Sequence, residues 1–134
     1  MLARPEEGRP VRPQTSSWAD LVGETLISLT RDYPYEQLTQ RQLEKTGVNC
    51  KRGQTVNGLD TQLGLAEAGL GFAVIPSFGV MASRSRNVRV TKLEPEVTLD
   101  CYEISNRGRK LPSEASEFAA YLKMFLARRV GVHQ

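Results

Sequence analysis

Residues 57–77, NGLDTQLGLAEAGLGFAVIPS, decide the fold of this chain. Apolar residues recur at helical spacing across Leu59–Ala66, and Gly69–Gly71 ends the predicted helix. Phe72–Ile75 is a continuous apolar run closed by Pro76, which is typical of a parallel strand with helices on both faces of its sheet. The stretch therefore predicts a helix, a glycine turn and a buried strand, in that order.

The glycine pair resembles half of a dinucleotide-binding fingerprint, but its position relative to the helix is reversed. In that fingerprint the glycines follow a strand and open a helix, so that backbone amides point at a phosphate. Here the glycines follow a helix and open a strand. We therefore reject nucleotide binding, and interpret Gly69 as the left-handed residue after the helix and Gly71 as a point of close backbone packing.

The rest of the chain alternates short apolar runs with amphipathic stretches, which predicts an α/β fold with a mostly parallel sheet. Residues 1–16, in which three arginines alternate with three prolines, predict an extended arm or linker. The other predicted elements are a turn capped by Ser16 or Ser17, a strand over 26–29, a helix over 35–45 stopped by Gly47, a strand over 48–54, a short helix over 77–81, an edge strand over 87–93, a strand over 97–104 and a final helix starting at Pro112-Ser113.

Composition excludes several classes of protein. The 134 residues are 40% hydrophobic and 25% charged, as expected of a globular protein. The net charge of +3 comes from short basic runs without interleaved aromatic residues, which indicates solvated surface rather than a nucleic-acid footprint. The first residues are too polar for a signal peptide, and no apolar run approaches the ~20 residues that span a membrane. We predict a cytoplasmic protein without membrane contact.

The sequence offers little for catalysis or metal binding. The one histidine, His133, is second from the end of the chain. Chain termini are usually poorly ordered, so we do not expect this histidine to be catalytic. Cys50 and Cys101 are far apart and lack metal-type spacing, so both are predicted to be small buried hydrophobes. We predict no enzyme activity, no metal and no cofactor.

A binding site is still expected, because ligands of open α/β sheets sit beyond the carboxyl ends of the strands. Three such ends are Leu29-Thr30, residues 54–57 and Ile75-Pro76-Ser77. The second leads into the N-terminus of the predicted helix over 58–68, where free amides and the helix dipole favour an anion. Thr55 and Asn57 offer a hydroxyl and an amide there, either to cap that helix or to contact a ligand.

Several segments resemble, in order and spacing, the effector-binding domain of LysR-type transcriptional regulators. The resemblance spans about residues 10 to 128, and the Ala-Gly-Leu-Gly to Ile-Pro stretch is its most specific part. The segments that carry it are Trp18–Leu21, Leu26-Ile27, Leu65–Pro76, and Arg107–Ala115 with Phe118.

The resemblance implies a fold like that of a type 2 periplasmic binding protein, in which two Rossmann-like lobes enclose a small inducer. It implies that residues 17–95 form most of the second lobe, and that 96–134 supply a crossover strand and the C-terminal helix of the first lobe. Together with the strand ends above, it predicts effector contacts at Leu29, Thr30, Thr55, Val56, Asn57, Ile75 and Pro76.

The chain also departs from the family pattern. The helix-turn-helix, the linker helix and the first half of lobe one have no counterpart in it, so we expect a truncated sensing fragment that reaches DNA only through a domain absent here. Its predicted partner is a small carboxylate inducer.

The final helix carries an apolar stripe that half a lobe would leave exposed, namely Phe118, Tyr121, Leu122 and Phe125. We therefore expect the stripe to pack on the second lobe or on another copy, by exchange of Val97–Leu126. The alternative function is a dimerisation module without a ligand.

Overall fold

The computed structural model describes residues 1–5, 15–106, 108 and 110–130. The chain divides into two compact units, Met1–Leu99 and Asp100–Gln134. The strands are β1 (Leu2–Pro5), β2 (Thr15–Ser17), β3 (Thr25–Leu29), β4 (Lys51–Val56), β5 (Ala73–Val74) and β6 (Val88–Glu94). The helices are α1 (Pro34–Thr46), α2 (Leu59–Glu67), α3 (Val80–Ser83) and α4 (Ser113–Val130), with 3-10 turns at Trp18–Leu21 and Ser77–Gly79.

The predicted α/β fold with parallel strands is confirmed. Four strands form one sheet in the order β2-β6-β1-β5, and β3 pairs in parallel with β4. A parallel bridge between Leu26 and Phe72 joins β3 to the start of β5. The β2–β6 pair is also parallel, whereas β1 is antiparallel to both of its neighbours. The first unit therefore has a mixed sheet in which β1 is the antiparallel member.

The prediction of an extended arm was wrong for the first residues. Leu2 and Ala3 are 1% and 0% exposed, because β1 lies between β5 and β6 and both faces of the sheet are covered there. β1 has only four residues, which include an arginine and a proline and show no apolar period, so the sequence pattern did not predict this strand. Residues 6–14 lie outside the described part of the chain.

Two further strand predictions need correction. The segment over 87–93 was expected at an edge, but β6 is an interior strand flanked by β1 and β2. β1 and most of β2 come from the segment predicted to be an arm, so the sequence analysis did not provide partner strands for β6. The strand predicted over 97–104 is absent, since 95–106 contain no strand among the described residues and Ile104 is 93% exposed. No backbone in the described part of the chain pairs with this segment.

The side chains from Phe72 to Ile75, in and next to β5, point alternately into two hydrophobic clusters, so the predicted burial on both faces is correct. Phe72 and Val74 point into one hydrophobic cluster, while Ala73 and Ile75 point into the other. The first cluster packs beneath α1 and the Trp18 turn, and its other main members are Leu2, Trp18, Leu21, Leu26, Leu43 and Val48. The second lies beneath α2 and includes Ala3, Ile27, Leu63 and Ala66.

The glycine turn after α2 has the predicted geometry. Gly69 has φ +78, its N–H bonds to the Ala66 carbonyl, and the Leu70 N–H bonds to the Leu65 carbonyl. This is the Schellman pattern, which satisfies the last carbonyls of a helix. A side chain at Gly71 would place its Cβ 2.4 Å from the Thr25 carbonyl oxygen, which confirms the close backbone approach.

Strand β4 lies at the edge of its sheet and is irregular. Leu26 of β3 pairs with Arg52, but Ser28 pairs with Thr55, so β4 has one more residue than β3 between these two pairs. Lys51 and Arg52 at its start are both exposed. A bulge and charged residues on an edge strand hinder the pairing of a further strand.

The second unit contains the predicted final helix, α4. None of the described residues from Asp100 onwards belongs to the buried hydrophobic core. An ion pair of 2.6 Å joins Lys123 to Glu103 within this unit. Its exposed large apolar residues are Tyr102, Ile104, Leu111, Phe118, Tyr121, Leu122, Met124 and Phe125.

Candidate ligand-binding site

The carboxyl ends of β3 and β4 lie side by side. Leu29 is in register with Val56, and the Thr30 N–H donates to the Val56 carbonyl at 3.0 Å. The structure therefore brings Leu29, Thr30, Val56 and Asn57 together. Leu29 is buried, whereas Asn57 is exposed and Thr30 and Val56 are partly exposed.

Strand β5 ends beside the carboxyl ends of β3 and β4, and we call this side of the sheet the strand-end edge. The parallel register that starts at Leu26 and Phe72 places Ile75 level with Leu29. Ile75 is buried, and its N–H donates to the Met1 carbonyl at 2.8 Å. Pro76 is partly exposed and opens the Ser77–Gly79 turn. Predicted residues from three strands thus reach one edge of the sheet.

The N-terminus of α2 adjoins this edge and is not capped by a side chain. Its N-cap is Gly58, and the first intrahelical bond runs from the Gln62 N–H to the Gly58 carbonyl at 3.0 Å. The capping role considered for Thr55 and Asn57 is therefore not adopted. Amides in the first turn of a helix without a cap are donors for an anion.

Tyr33 positions this region, although the sequence did not single it out. Its hydroxyl donates to the Asn57 carbonyl at 2.5 Å, linking the segment after β3 to the segment after β4. Its ring packs at a tilt on that of Tyr35, with centroids 5.8 Å apart. Burial, followed by the nearby Tyr33 and Glu36, raises the pKa of Tyr35 to about 12.

Glu36 is a second residue next to the candidate site that the sequence analysis missed. Its side chain is 3% exposed, and its carboxylate accepts from the Leu29 N–H at 3.0 Å and from Gln40 Nε2 at 2.7 Å. The end of β3 is thereby held to α1. The only signal in the sequence was a glutamate in the first turn of a helix, which is a common surface residue.

Gln62 fixes α2 to the middle of β3. Its side chain is fully buried, and its Nε2 donates to the Ile27 carbonyl at 2.7 Å. Its Oε1 is buried without a hydrogen-bond partner. The sequence analysis identified the buried face of α2 from its apolar residues alone, and so it missed the buried amide of Gln62 beside them.

A cavity of about 480 Å³ lies between α1 and the β3–β4 pair. Of the seven predicted contacts, Leu29 and Thr55 line it, and the other five do not. Its charged lining includes Arg31, Glu36, Glu44 and Arg52. The cavity follows the side of the strands rather than their ends, and we place the candidate site at the strand ends, where the uncapped helix amides lie.

The structure gives mixed results for the cysteines. Cys50 is partly buried, its thiol donates to the Leu21 carbonyl at 3.4 Å, and burial raises its pKa. Cys101 is exposed, so its predicted burial was wrong, because the strand expected around it does not form. His133 lies outside the described residues.

Over the described ranges, no cluster of three or more histidine, cysteine, aspartate or glutamate side chains is arranged to hold a metal ion. In the same part of the chain no helix combines the length and the apolar character needed to cross a membrane.

Comparison with known proteins gives the family of this α/β fold. The family model for the LysR substrate binding domain matches residues 2–127. The chain therefore belongs to the LysR substrate-binding domain family. No curated protein matches the chain.

Solved structures agree on the fold. The CcmR regulatory domain of Synechocystis PCC6803, solved in complex with 2-PG, superposes with a TM-score of 0.69 at 12% identity, covering 92% of this chain and 61% of that one. HinK, a LysR family regulator from Pseudomonas aeruginosa, gives 0.69 at 19% identity, covering 93% and 44%. The effector-binding domain of a BenM variant gives 0.57 at 21% identity, covering 72% and 46%. This chain thus spans roughly half the length of these structures.

Proposed function

We propose that this chain is the sensing part of a LysR-type transcriptional regulator and binds a small-molecule effector where β3, β4 and β5 end. The observation that carries the proposal is the Thr30 to Val56 hydrogen bond of 3.0 Å, which joins the ends of two parallel strands beside an uncapped helix. Open α/β sheets bind ligands at such ends. The CcmR regulatory domain, solved with 2-PG, supports a small-molecule ligand for this fold.

The proposed effector carries a carboxylate. The uncapped amides at the start of α2 and the positive end of its dipole favour an anionic group. Hydroxyls of Thr30 and Thr55 add neutral donors. The proposed contacts remain Leu29, Thr30, Thr55, Val56, Asn57, Ile75 and Pro76.

The proposed mechanism is a shift between conformations of the sensing domain rather than catalysis. Effector binding would favour the closed arrangement of two lobes, and an effector shifts the balance only by its difference in affinity for the two states. DNA would be contacted by a helix-turn-helix domain outside these 134 residues. The proposed location is the cytoplasm, where such a regulator reaches DNA.

We also propose self-association through α4. The second unit buries no core of its own among the described residues, and Phe118, Tyr121 and Leu122 are exposed. Such a face is stabilised when another chain covers it. Exchange of the Val97–Leu126 segment between two copies would provide that cover. The competing function, a dimerisation module without a ligand, is favoured by the same face.

A thermal-shift screen of small carboxylates tests the sensing proposal. A ligand that binds only the folded state stabilises it by about 2.7 kcal/mol at one hundred times its Kd. The variant Thr30→Val with Thr55→Val removes two proposed hydroxyl donors and should abolish most of the shift. Thr98→Val is the matched control, since Thr98 is exposed and lies outside every strand.

Two results would decide against the sensing role. If no carboxylate raises the melting temperature while that temperature rises with protein concentration, the dimerisation module is the better description. If a carboxylate stabilises the double variant as strongly as the parent, the effector does not bind at the ends of β3 and β4.

A further inference from the structure

The guanidinium of Arg86, which lies between α3 and β6, joins two carboxylates of α2. Its Nη2 donates to Asp60 Oδ1 at 2.6 Å, and its Nη1 donates to Glu67 Oε2 at 3.2 Å. The second oxygen of Glu67 accepts from the Asn87 N–H at 2.8 Å. Asp60 is in the first turn of α2 and Glu67 is its last residue. The segment before β6 is therefore fixed to one face of α2 along the whole helix.

Gly64 lets the guanidinium lie against the backbone of α2. Asp60, Gly64 and Glu67 follow one another at helical spacing on one face. A Cβ at Gly64 would be 3.3 Å from Arg86 Nη1. The Arg86 side chain is 22% exposed, whereas that of Asp60 is 83% exposed. Arg86 is thus held by packing as well as by charge, while Asp60 is held at the helix start by its bond to Arg86.

Asp60 lies where its charge bears directly on the proposed effector site. It is the second residue of α2, whose N-cap is Gly58 and whose first turn has no side-chain cap. The amides and the positive dipole end of this turn attract a carboxylate of the protein as they attract any other anion. A free Asp60 would therefore compete with an anionic effector for these amides and would also repel it.

Arg86 removes this competition in the structure. Its hydrogen bond engages one carboxylate oxygen of Asp60, and its positive charge offsets the negative charge of that residue. In the described part of the chain Arg86 is the one cation that pairs with Asp60. The amides of the first turn are thereby left without an acceptor from their own helix.

We infer that Arg86 is a positioning residue of the effector site, because it holds Asp60 away from the amides that receive the carboxylate of the effector. Arg86 acts through Asp60 and does not itself contact the effector. The preference of the site for an anion is thus set by a residue outside the strand-end edge. This inference rests on the proposed function.

The test is an acetate titration of the isotope-labelled full chain, followed by the backbone amide signals of Leu59, Asp60 and Thr61 in NMR spectra. Acetate carries only the carboxylate group of the proposed effector, so it probes the helix start alone. Sodium chloride replaces acetate at matched ionic strength in a parallel titration. The parent protein should show saturable shifts of these signals with acetate and none with chloride.

Arg86→Gln should raise the acetate concentration at half-saturation about two- to fivefold, the effect of one uncompensated charge at a helix terminus. Ion pairs at the surface contribute little stability, so this variant should stay folded. Arg86→Lys keeps the charge near Asp60 and should lie between the parent and Arg86→Gln. Arg84→Gln removes the same charge at an exposed arginine outside this network and should bind acetate like the parent.

Rescue separates the proposed role from a purely structural one. Adding Asp60→Asn to Arg86→Gln removes the competing carboxylate, so this double variant should regain the half-saturation of the parent. If it binds acetate as weakly as Arg86→Gln alone, the loss is structural and the inference is overturned.

Two further results would overturn the inference, and they differ in what they leave standing. Equal half-saturation of Arg86→Gln and the parent removes the role of Arg86 but leaves the proposed function in place. If acetate shifts these amide signals no more than chloride does in the parent and in every variant, the carboxylate site at the start of α2 is absent. The proposed carboxylate effector then fails together with this inference.

Discussion

Removing the carboxylate of Glu36 should destabilise the first unit strongly. The carboxylate is 3% exposed and accepts two hydrogen bonds, from the Leu29 N–H at 3.0 Å and from Gln40 Nε2 at 2.7 Å. Glu36→Ala leaves the Leu29 amide without an acceptor in a buried position, which costs about 1–3 kcal/mol. The loss of packing and of the bond to Gln40 brings the expected decrease in unfolding free energy to about 2–4 kcal/mol.

Urea unfolding followed by Trp18 fluorescence measures this change. The midpoint should fall while the slope against urea stays constant, because stability changes and the exposed surface does not. Glu36→Gln retains one acceptor for the Leu29 N–H and should lose less stability than Glu36→Ala. Glu44→Ala, at an exposed glutamate of the same helix, should stay within about 0.5 kcal/mol of the parent. A midpoint for Glu36→Ala equal to that of Glu44→Ala would refute the role assigned to Glu36.

Three further predictions follow from single contacts. Gly71→Ala should lower the unfolding free energy by about 2 kcal/mol or more in urea titrations, because its Cβ would lie 2.4 Å from a carbonyl oxygen of β3; unchanged stability would contradict the close approach. The backbone N–H of Asn87 lowers the pKa of Glu67 below its ordinary 4.5, so this bond stabilises the fold above that pH and is lost as pH falls through the lowered pKa; Glu67→Gln should flatten this part of a stability–pH curve. A maleimide should label exposed Cys101 at least about tenfold faster than Cys50, whose pKa burial raises, and equal rates under native conditions would count against the burial of Cys50.

The sequence predicted elements whose chemistry is local. Helix α2, its glycine turn and β5 were correct because helical spacing, a left-handed glycine and an apolar run are all contained in one short stretch. The same holds for Ser17, which caps the Trp18 turn in a capping box with Asp20. The choice of strand ends also followed from a general rule for parallel sheets.

The errors come from features that depend on distant residues. Strand β1 exists because β5 and β6 pair with it from about seventy or more positions away along the chain, and its four residues contain no period of their own. The burial of Glu36 depends on the end of β3 meeting the first turn of α1, which helical periodicity does not encode. The residues over 97–104 alternate like a strand but find no partner among the described residues.

The irregular edge of β4 also determines how copies of this protein can associate. A sheet grows when its last strand offers a straight row of unpaired amides and carbonyls, and the register shift and the charges of Lys51 and Arg52 interrupt that row. Strand-by-strand polymerisation from this edge is therefore hindered. The self-association through α4 proposed above would instead end once the apolar side of that helix is covered, so we expect concentrated solutions to contain oligomers of defined size rather than fibrils.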